Sequence, residues 1–121
     1  MRVLVIDDSR AMRMILKTTL VQLGHEVVEA SNGQEGLEMV KKRGPFNIAL
    51  VDWNMPLLNG YEFVRSVRSD AANAAMKLVM VTTEVEMAQV SKAMDAGANE
   101  YVMKPFTREI LREKIEMLEA A

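Results

Sequence analysis

Asp7-Asp8, Asp52, Thr82 and Lys104 are the residues whose types, order and placement in this chain amount to chemistry. They follow short apolar runs, Val3-Leu4-Val5-Ile6, Ile48-Ala49-Leu50-Val51, Leu78-Val79-Met80-Val81 and Tyr101-Val102-Met103. Continuous apolar runs of this length read as buried strands, so each of these side chains stands where a strand stops. If the strands are neighbours in one parallel sheet, the side chains meet on one edge. Three carboxylates, a hydroxyl and an amine gathered there can hold a divalent cation and a phosphoryl group, the acids binding metal while hydroxyl and lysine neutralise phosphate oxygens. Clustered acids repel one another unless a cation or an amine compensates, and a bound Mg²⁺ with Lys104 would do so. Asp52 is the candidate nucleophile, because a carboxylate can attack phosphorus and hold an acyl phosphate.

Taken singly, each residue has an ordinary reading. Asp7-Asp8 could open a loop and cap a helix, with Ser9 available for the same duty. Asp52 could be a turn residue, Thr82 a β-branched strand end, and Lys104 an exposed lysine. Pro105 admits a cis bond after Lys104. The argument for chemistry is the combination, in this order and after these strands.

The elements that must position these groups alternate along the chain. After Asp8, residues Met12, Ile15, Leu16, Thr19, Leu20 and Leu23 recur at helical spacing, and Gly24-His25 ends the helix. A short strand at Val27-Val28 precedes a helix from about Gln34, which closes on the basic Lys41-Lys42-Arg43 and Gly44-Pro45. The strand Asn47 to Val51 leads into a loop, Trp53 to Asn59, closed by Gly60, and a helix carries Phe63, Val64 and Val67. Asp70 to Ala75 reads as a loop. A helix of about Val85 to Ala96 ends at Gly97, and the last helix starts near the N-cap Thr107 with Ile110, Leu111, Ile115 and Leu118 on one face. Five strands alternating with five helices predict a parallel sheet covered on both faces, a doubly wound α/β domain with its ligand site beyond the carboxyl ends of the strands.

Within the helix before Gly97, Met87, Val90 and Met94 share one face while Ala88, Ala93 and Ala96 suit the sheet side, which leaves the larger stripe for a partner. Trp53 reads either as a lid or as a half-exposed loop residue. His25, the only histidine, reads as structural, and the eleven methionines mostly as flexible core filler.

Bulk properties narrow the classes. The 121 residues suit one domain, half of them apolar, with no apolar run near the roughly 20 residues a membrane helix needs. A soluble, cytoplasmic chain is the expectation. Zero cysteines exclude disulfides and thiol chemistry. Fifteen basic and 17 acidic residues give a net charge of -2, too little field to draw nucleic acid or an anionic membrane.

Val5-Ile6-Asp7-Asp8-Ser9-Arg10, Asp52-Trp53-Asn54-Met55-Pro56 with Asn59-Gly60, Val81-Thr82 and Tyr101 through Phe106 resemble the receiver domain of two-component response regulators over the whole length. The chain is most similar to the stand-alone chemotaxis members, which Trp53, Asn54, Glu84, Tyr101 and Lys104-Pro105-Phe106-Thr107 match. The resemblance implies a flavodoxin-like (βα)5 fold with strand order 2-1-3-4-5, one receiver domain and no output domain. It implies that a sensor histidine kinase donates a phosphoryl group to Asp52, with Mg²⁺ held by Asp8, Asp52 and the Asn54 carbonyl and with Asp7 acting through water. Thr82 and Lys104 would bind the phosphate, and Asn54, Thr83 and Glu84 would tune its rates. Thr82 and Tyr101 would form a switch that reshapes the face of the fourth helix, fifth strand and fifth helix, with Met87, Val90, Met94, Tyr101 and Met103 meeting a downstream protein such as a flagellar motor switch. Such a chain is a signalling switch that catalyses its own phosphorylation and dephosphorylation rather than an enzyme acting on foreign substrates.

Three positions depart from the family pattern. Thr83 replaces a smaller residue and could narrow the phosphate's entrance, Asn59 stands where many members have aspartate, and Ser9 stands where an aromatic is frequent. The competing readings are a phosphorelay intermediate or phosphate sink, an inactive scaffold, and a haloacid dehalogenase-like phosphatase. In the last family the nucleophile follows the first strand and a second aspartate lies two residues later, whereas here the paired acids come first and Asn54 holds that second place.

Overall fold

Each apolar run becomes the centre of a strand because both of its faces are covered, and the polar residues between runs fall on helices and loops. A computed structural model describes residues 1–120, and the backbone alone at Glu84 and Val85. Strands β1 (Arg2–Ile6), β2 (Glu26–Ala30), β3 (Ile48–Asp52), β4 (Lys77–Thr83) and β5 (Glu100–Lys104) alternate with helices α1 (Arg10–Gln22), α2 (Gly33–Arg43), α3 (Gly60–Arg68), α4 (Val90–Ala96) and α5 (Arg108–Ala120). All four strand pairings are parallel, in the order β2-β1-β3-β4-β5, the doubly wound, flavodoxin-like arrangement.

The period-two alternation of the strands divides the core in two. Leu4, Ile6, Ala49, Val51, Leu78 and Met80 face one side, with Phe63, Val64 and Val67 of α3 and Ala93 of α4. Val3, Val5, Leu50, Val79, Val81 and Val102 face the other, with Leu16 and Leu20 of α1 and Leu111 and Ile115 of α5. Each of the larger side chains among these contributes roughly 1.5–3 kcal/mol on leaving water, offset by the entropy of ordering it.

Helix ends follow their caps. The side chains of Ser9, Asn32 and Asn59 accept from backbone amides in the first turns of α1, α2 and α3, and Asn59 completes a capping box with Glu62. Asn59 therefore serves as the cap that an aspartate at this position could also supply. Thr107 caps α5 by accepting from the Ile110 amide at 3.1 Å.

Several expectations shift. Strand β4 runs through Thr82 and Thr83, and β5 includes Lys104, so these residues lie within strand ends and not after them. Asp70 to Ala75 contains a short 3₁₀ turn, Ala71–Asn73, capped by Asp70. The segment before Gly97 is not one α-helix, because Glu84–Gln89 is 3₁₀ and α4 begins only at Val90. Ile15 and Ile110, placed on buried faces by spacing alone, are about half exposed. Trp53 is neither lid nor half-exposed residue but part of the core. His25 is structural: Nδ1 lies 3.1 Å from the terminal amine and Nε2 lies 3.5 Å from Glu119. The Gly44–Pro45 and Lys104–Pro105 bonds are cis.

Candidate functional site

Parallel register brings the strand ends level. Ile6 pairs with Val51, Asp52 with Val81, and Thr83 with Lys104, so Asp7, Asp52, Thr82 and Lys104 arrive at one edge of the sheet from β1, β3, β4 and β5. Asp7, Asp52 and Thr82 are buried there, and Asp8 is exposed at the rim. One carboxylate oxygen from each of Asp7, Asp8 and Asp52 lies within 4.8 Å of the others, a donor set of hard oxygens that fits Mg²⁺. The Lys104 Nζ donates to Asp52 Oδ1 at 3.0 Å and reaches Asp7 Oδ2 at 3.4 Å.

The backbone around these groups is tied down. Asp7 Oδ1 accepts from the Ser9 amide at 2.8 Å, and Arg13 Nη1 donates to the Asp7 carbonyl at 2.6 Å. The amide of Gly60 donates to the Trp53 carbonyl at 3.0 Å. A Cβ at Gly60 would lie 2.7 Å from the Asp52 carbonyl oxygen, so only glycine lets α3 start this close to the strand end that carries Asp52. Leu57, in the same loop, takes a positive φ of 70°.

Burial raises the Asp52 pKa to about 6, with the Lys104 hydrogen bond opposing and the neighbouring Asp7 and Asp8 charges adding to the rise. For Lys104, burial works against the charged form, but the hydrogen bond and charge of Asp52, with Asp7 behind it, outweigh that and raise its pKa. Lys104 is thus a fixed ammonium facing an acid cluster that it does not fully neutralise. Such a site attracts a divalent cation and offers a carboxylate at neutral pH.

Thr82 lies on the same sheet face as Tyr101: Thr82 pairs with Met103 and Met80 with Tyr101, with side chains repeating every second residue. Tyr101 is half-buried, with the Lys114 ammonium 5.4 Å from its ring centroid. Asn54 is exposed beside Asp52. Thr83 turns its hydroxyl to Glu86 Oε1 at 3.0 Å. The side chain of Glu84 lies outside the described residues.

Of the predicted partner stripe, Met94 and Met103 are exposed and Met87 is half-buried, but Val90 is buried and does not belong to it. Val90 and Ala93, three residues apart in α4, lie on one face of that helix and turn it inward against the core, which takes Val90 out of the stripe. Arg13 and Glu86 were not singled out from the sequence. For Glu86 a signal existed, since Thr83-x-x-Glu86 has the capping-box spacing.

The response regulator receiver domain family matches residues 3–116. The chain is 45% identical over 117 residues to the chemotaxis protein CheY homolog of Campylobacter jejuni, covering 96% of this chain and 90% of that one. It is 44% identical over 119 residues to the chemotaxis protein CheY1 of Helicobacter pylori, covering 98% and 96%. The solved structure of the chemotaxis response regulator CheY4 of Vibrio cholerae superposes with a TM-score of 0.90 at 32% identity, covering 97% of each chain. Likeness that runs from β1 to α5 at these identities decides the assignment: the chain belongs to the response regulator receiver domains and is similar to their CheY-type chemotaxis members.

Proposed function

We propose that this chain is a phosphorylation-controlled binding switch in which Asp52 takes a phosphoryl group from a phosphohistidine of a sensor kinase. The observation that carries the reading is the buried Asp52 carboxylate hydrogen-bonded to Lys104 at 3.0 Å beside two further acids. In the transfer, an Asp52 oxygen attacks phosphorus, an O–P bond forms, the P–N bond to the imidazole breaks, and the product is an acyl phosphate. Lys104 Nζ, already on Asp52 Oδ1, is placed to pair with the oxygens of the incoming group, and the Thr82 hydroxyl is a second donor from the next strand. Asp7, Asp8, Asp52 and the Asn54 carbonyl would hold Mg²⁺, which when bound supplies charge neutralisation for the acids and the transferring phosphoryl oxygens. Asn54, Thr83 and Glu84 would tune the rates of gain and loss.

Output follows through Thr82 and Tyr101. A phosphate that draws Thr82 favours the state in which Tyr101 packs inward, by as much as it binds that state better. The exposed Met94 and Met103 with Tyr101 would then meet the partner, which on this reading is a cytoplasmic protein such as a flagellar motor switch; similarity to chemotaxis proteins supports a chemotaxis role. A single receiver unit acting by docking suits this reading. No described helix is long and apolar enough to cross a membrane.

The test is to add Mg²⁺ and then acetyl phosphate while following Trp53 fluorescence, with intact mass as arbiter of covalent transfer. A Mg²⁺-dependent gain of one phosphoryl group on Asp52 supports the reading. No adduct would move the weight to a scaffold role, and steady turnover of a phosphomonoester would revive a phosphatase.

A further inference from the structure

We propose that Glu86 is a latch on the Thr82 hydroxyl, a positioning residue that acts through Thr82 and restrains capture of the phosphoryl group; the inference rests on Asp52 being the phosphoacceptor. A single oxygen, Glu86 Oε1, meets three donors: the Thr83 amide at 2.9 Å, the Thr83 hydroxyl at 3.0 Å and the Thr82 hydroxyl at 3.4 Å. An N-terminal cap for the 3₁₀ segment needs only the first of these. The Thr82 contact goes beyond a cap, because Thr82 precedes the cap residue and is fully buried at the end of β4, level with the strand ends that carry Asp52 and Lys104.

A threonine hydroxyl carries one proton. In the resting chain that proton is shared between Glu86 Oε1 and the Thr83 carbonyl, the latter 3.3 Å away, and the ionised carboxylate is the stronger acceptor. A phosphoryl group on Asp52 presents competing anionic oxygens, so Thr82 must leave Glu86 to reach them. Both remaining contacts of Glu86 Oε1 are to Thr83. The carboxylate therefore stays fastened to the strand end while Thr82 departs, and the Glu84–Gln89 segment that leads into α4 takes up the change. Glu86 thereby sets a threshold for phosphorylation and ties it to the element that carries the proposed partner surface.

A double-mutant cycle tests the latch. Glu86→Ala and Glu86→Gln are made alone and on a Thr82→Ala background, and the rate of adduct formation at Asp52 with acetyl phosphate at saturating Mg²⁺ is read by intact mass. With Thr82 present, Glu86→Ala speeds the reaction roughly two- to tenfold, the range one ordinary hydrogen bond supports, and Glu86→Gln, a neutral acceptor, falls between. On the Thr82→Ala background neither change alters the rate. Equal acceleration on both backgrounds would show a diffuse charge effect and overturn the latch, as would no acceleration on either. Amide exchange at Thr83, measured without phosphodonor, reads the resting contact separately: protection falls in Glu86→Ala and survives in Glu86→Gln. Unchanged protection in Glu86→Ala overturns the latch whatever the chemistry. Protection behaving as stated in a parent chain that forms no adduct would instead sink the phosphoacceptor reading, and the restraint on capture with it.

Discussion

Asp52 is under tension that its own substitution exposes. Its carboxylate is harder to ionise in the fold than in the unfolded chain, with a pKa raised to about 6 by burial. Between about pH 4 and pH 6 the folded state therefore holds more protons at this residue than the unfolded state, and stability falls as pH rises through that window. Above it the loss is complete. Asp52→Asn removes the charge and keeps the shape, so in metal-free buffer at pH 7 to 8 the variant unfolds with about 1–3 kcal/mol more stability, while forming no phosphoryl adduct. Urea titrations across pH should show the gain shrinking below about pH 6 and vanishing near pH 4. A variant no more stable than its parent at pH 8 would mean that Lys104 compensates Asp52 fully. That Asp7-Asp8, Asp52 and Lys104 gather at the strand ends was legible in the sequence, because each ends a run too apolar to be anything but buried. Arg13 and Glu86 were not, since a long polar side chain declares its target only once the backbone is placed.

At the scale of elements, the site depends on how closely helices and loops approach the strand ends. Gly60→Ala puts a methyl against the Asp52 carbonyl and the Met80 side chain, both 2.7 Å from the ideal Cβ, so either the strand end or the start of α3 must move. The expected cost is about 1–3 kcal/mol in denaturant midpoint, with slower adduct formation because the carboxylate shifts with its backbone. A second anchor lies far from the chemistry. Arg68 donates to the carbonyls of Gly97, Asn73 and Met76 and to the Asn99 side chain, fastening α3 to the segments on either side of β4 and α4. Arg68→Ala strands these acceptors and should cost about 2–3 kcal/mol by thermal or chemical unfolding, with the phosphoryl adduct still forming in the folded fraction. Helix type is where periodicity failed. The spacing predicts one α-helix from about Val85 to Ala96, whereas Glu84–Gln89 is 3₁₀ and α4 turns Val90 inward together with Ala93.

At the scale of the whole molecule, the proposed chemistry and the proposed output occupy different parts of one sheet. The acids gather where β1 and β3 lie side by side at its centre, and Tyr101 stands on β5 at its edge. Tyr101→Ala should therefore leave the rate of adduct formation within about twofold while weakening binding of the phosphorylated chain to its target, measured by titration against a motor-switch protein; unchanged binding would favour a phosphate sink. Fold class was legible from five alternating apolar runs, but no run says which strand lies beside it. The order came from family resemblance, because neighbours in a sheet are chosen by crossovers that leave little trace in local pattern. That order has a consequence for synthesis on the ribosome. Lys104 closes its contacts with Asp52 and Asp7 across 52 and 97 residues of chain. A growing polypeptide displays Asp52 long before the lysine emerges, and until then the acid is only an unpaired carboxylate. On the proposed function, readiness to receive a signal would double as proof of completion, since a product truncated before Lys104 lacks the ammonium that Asp52 and Asp7 meet in the fold.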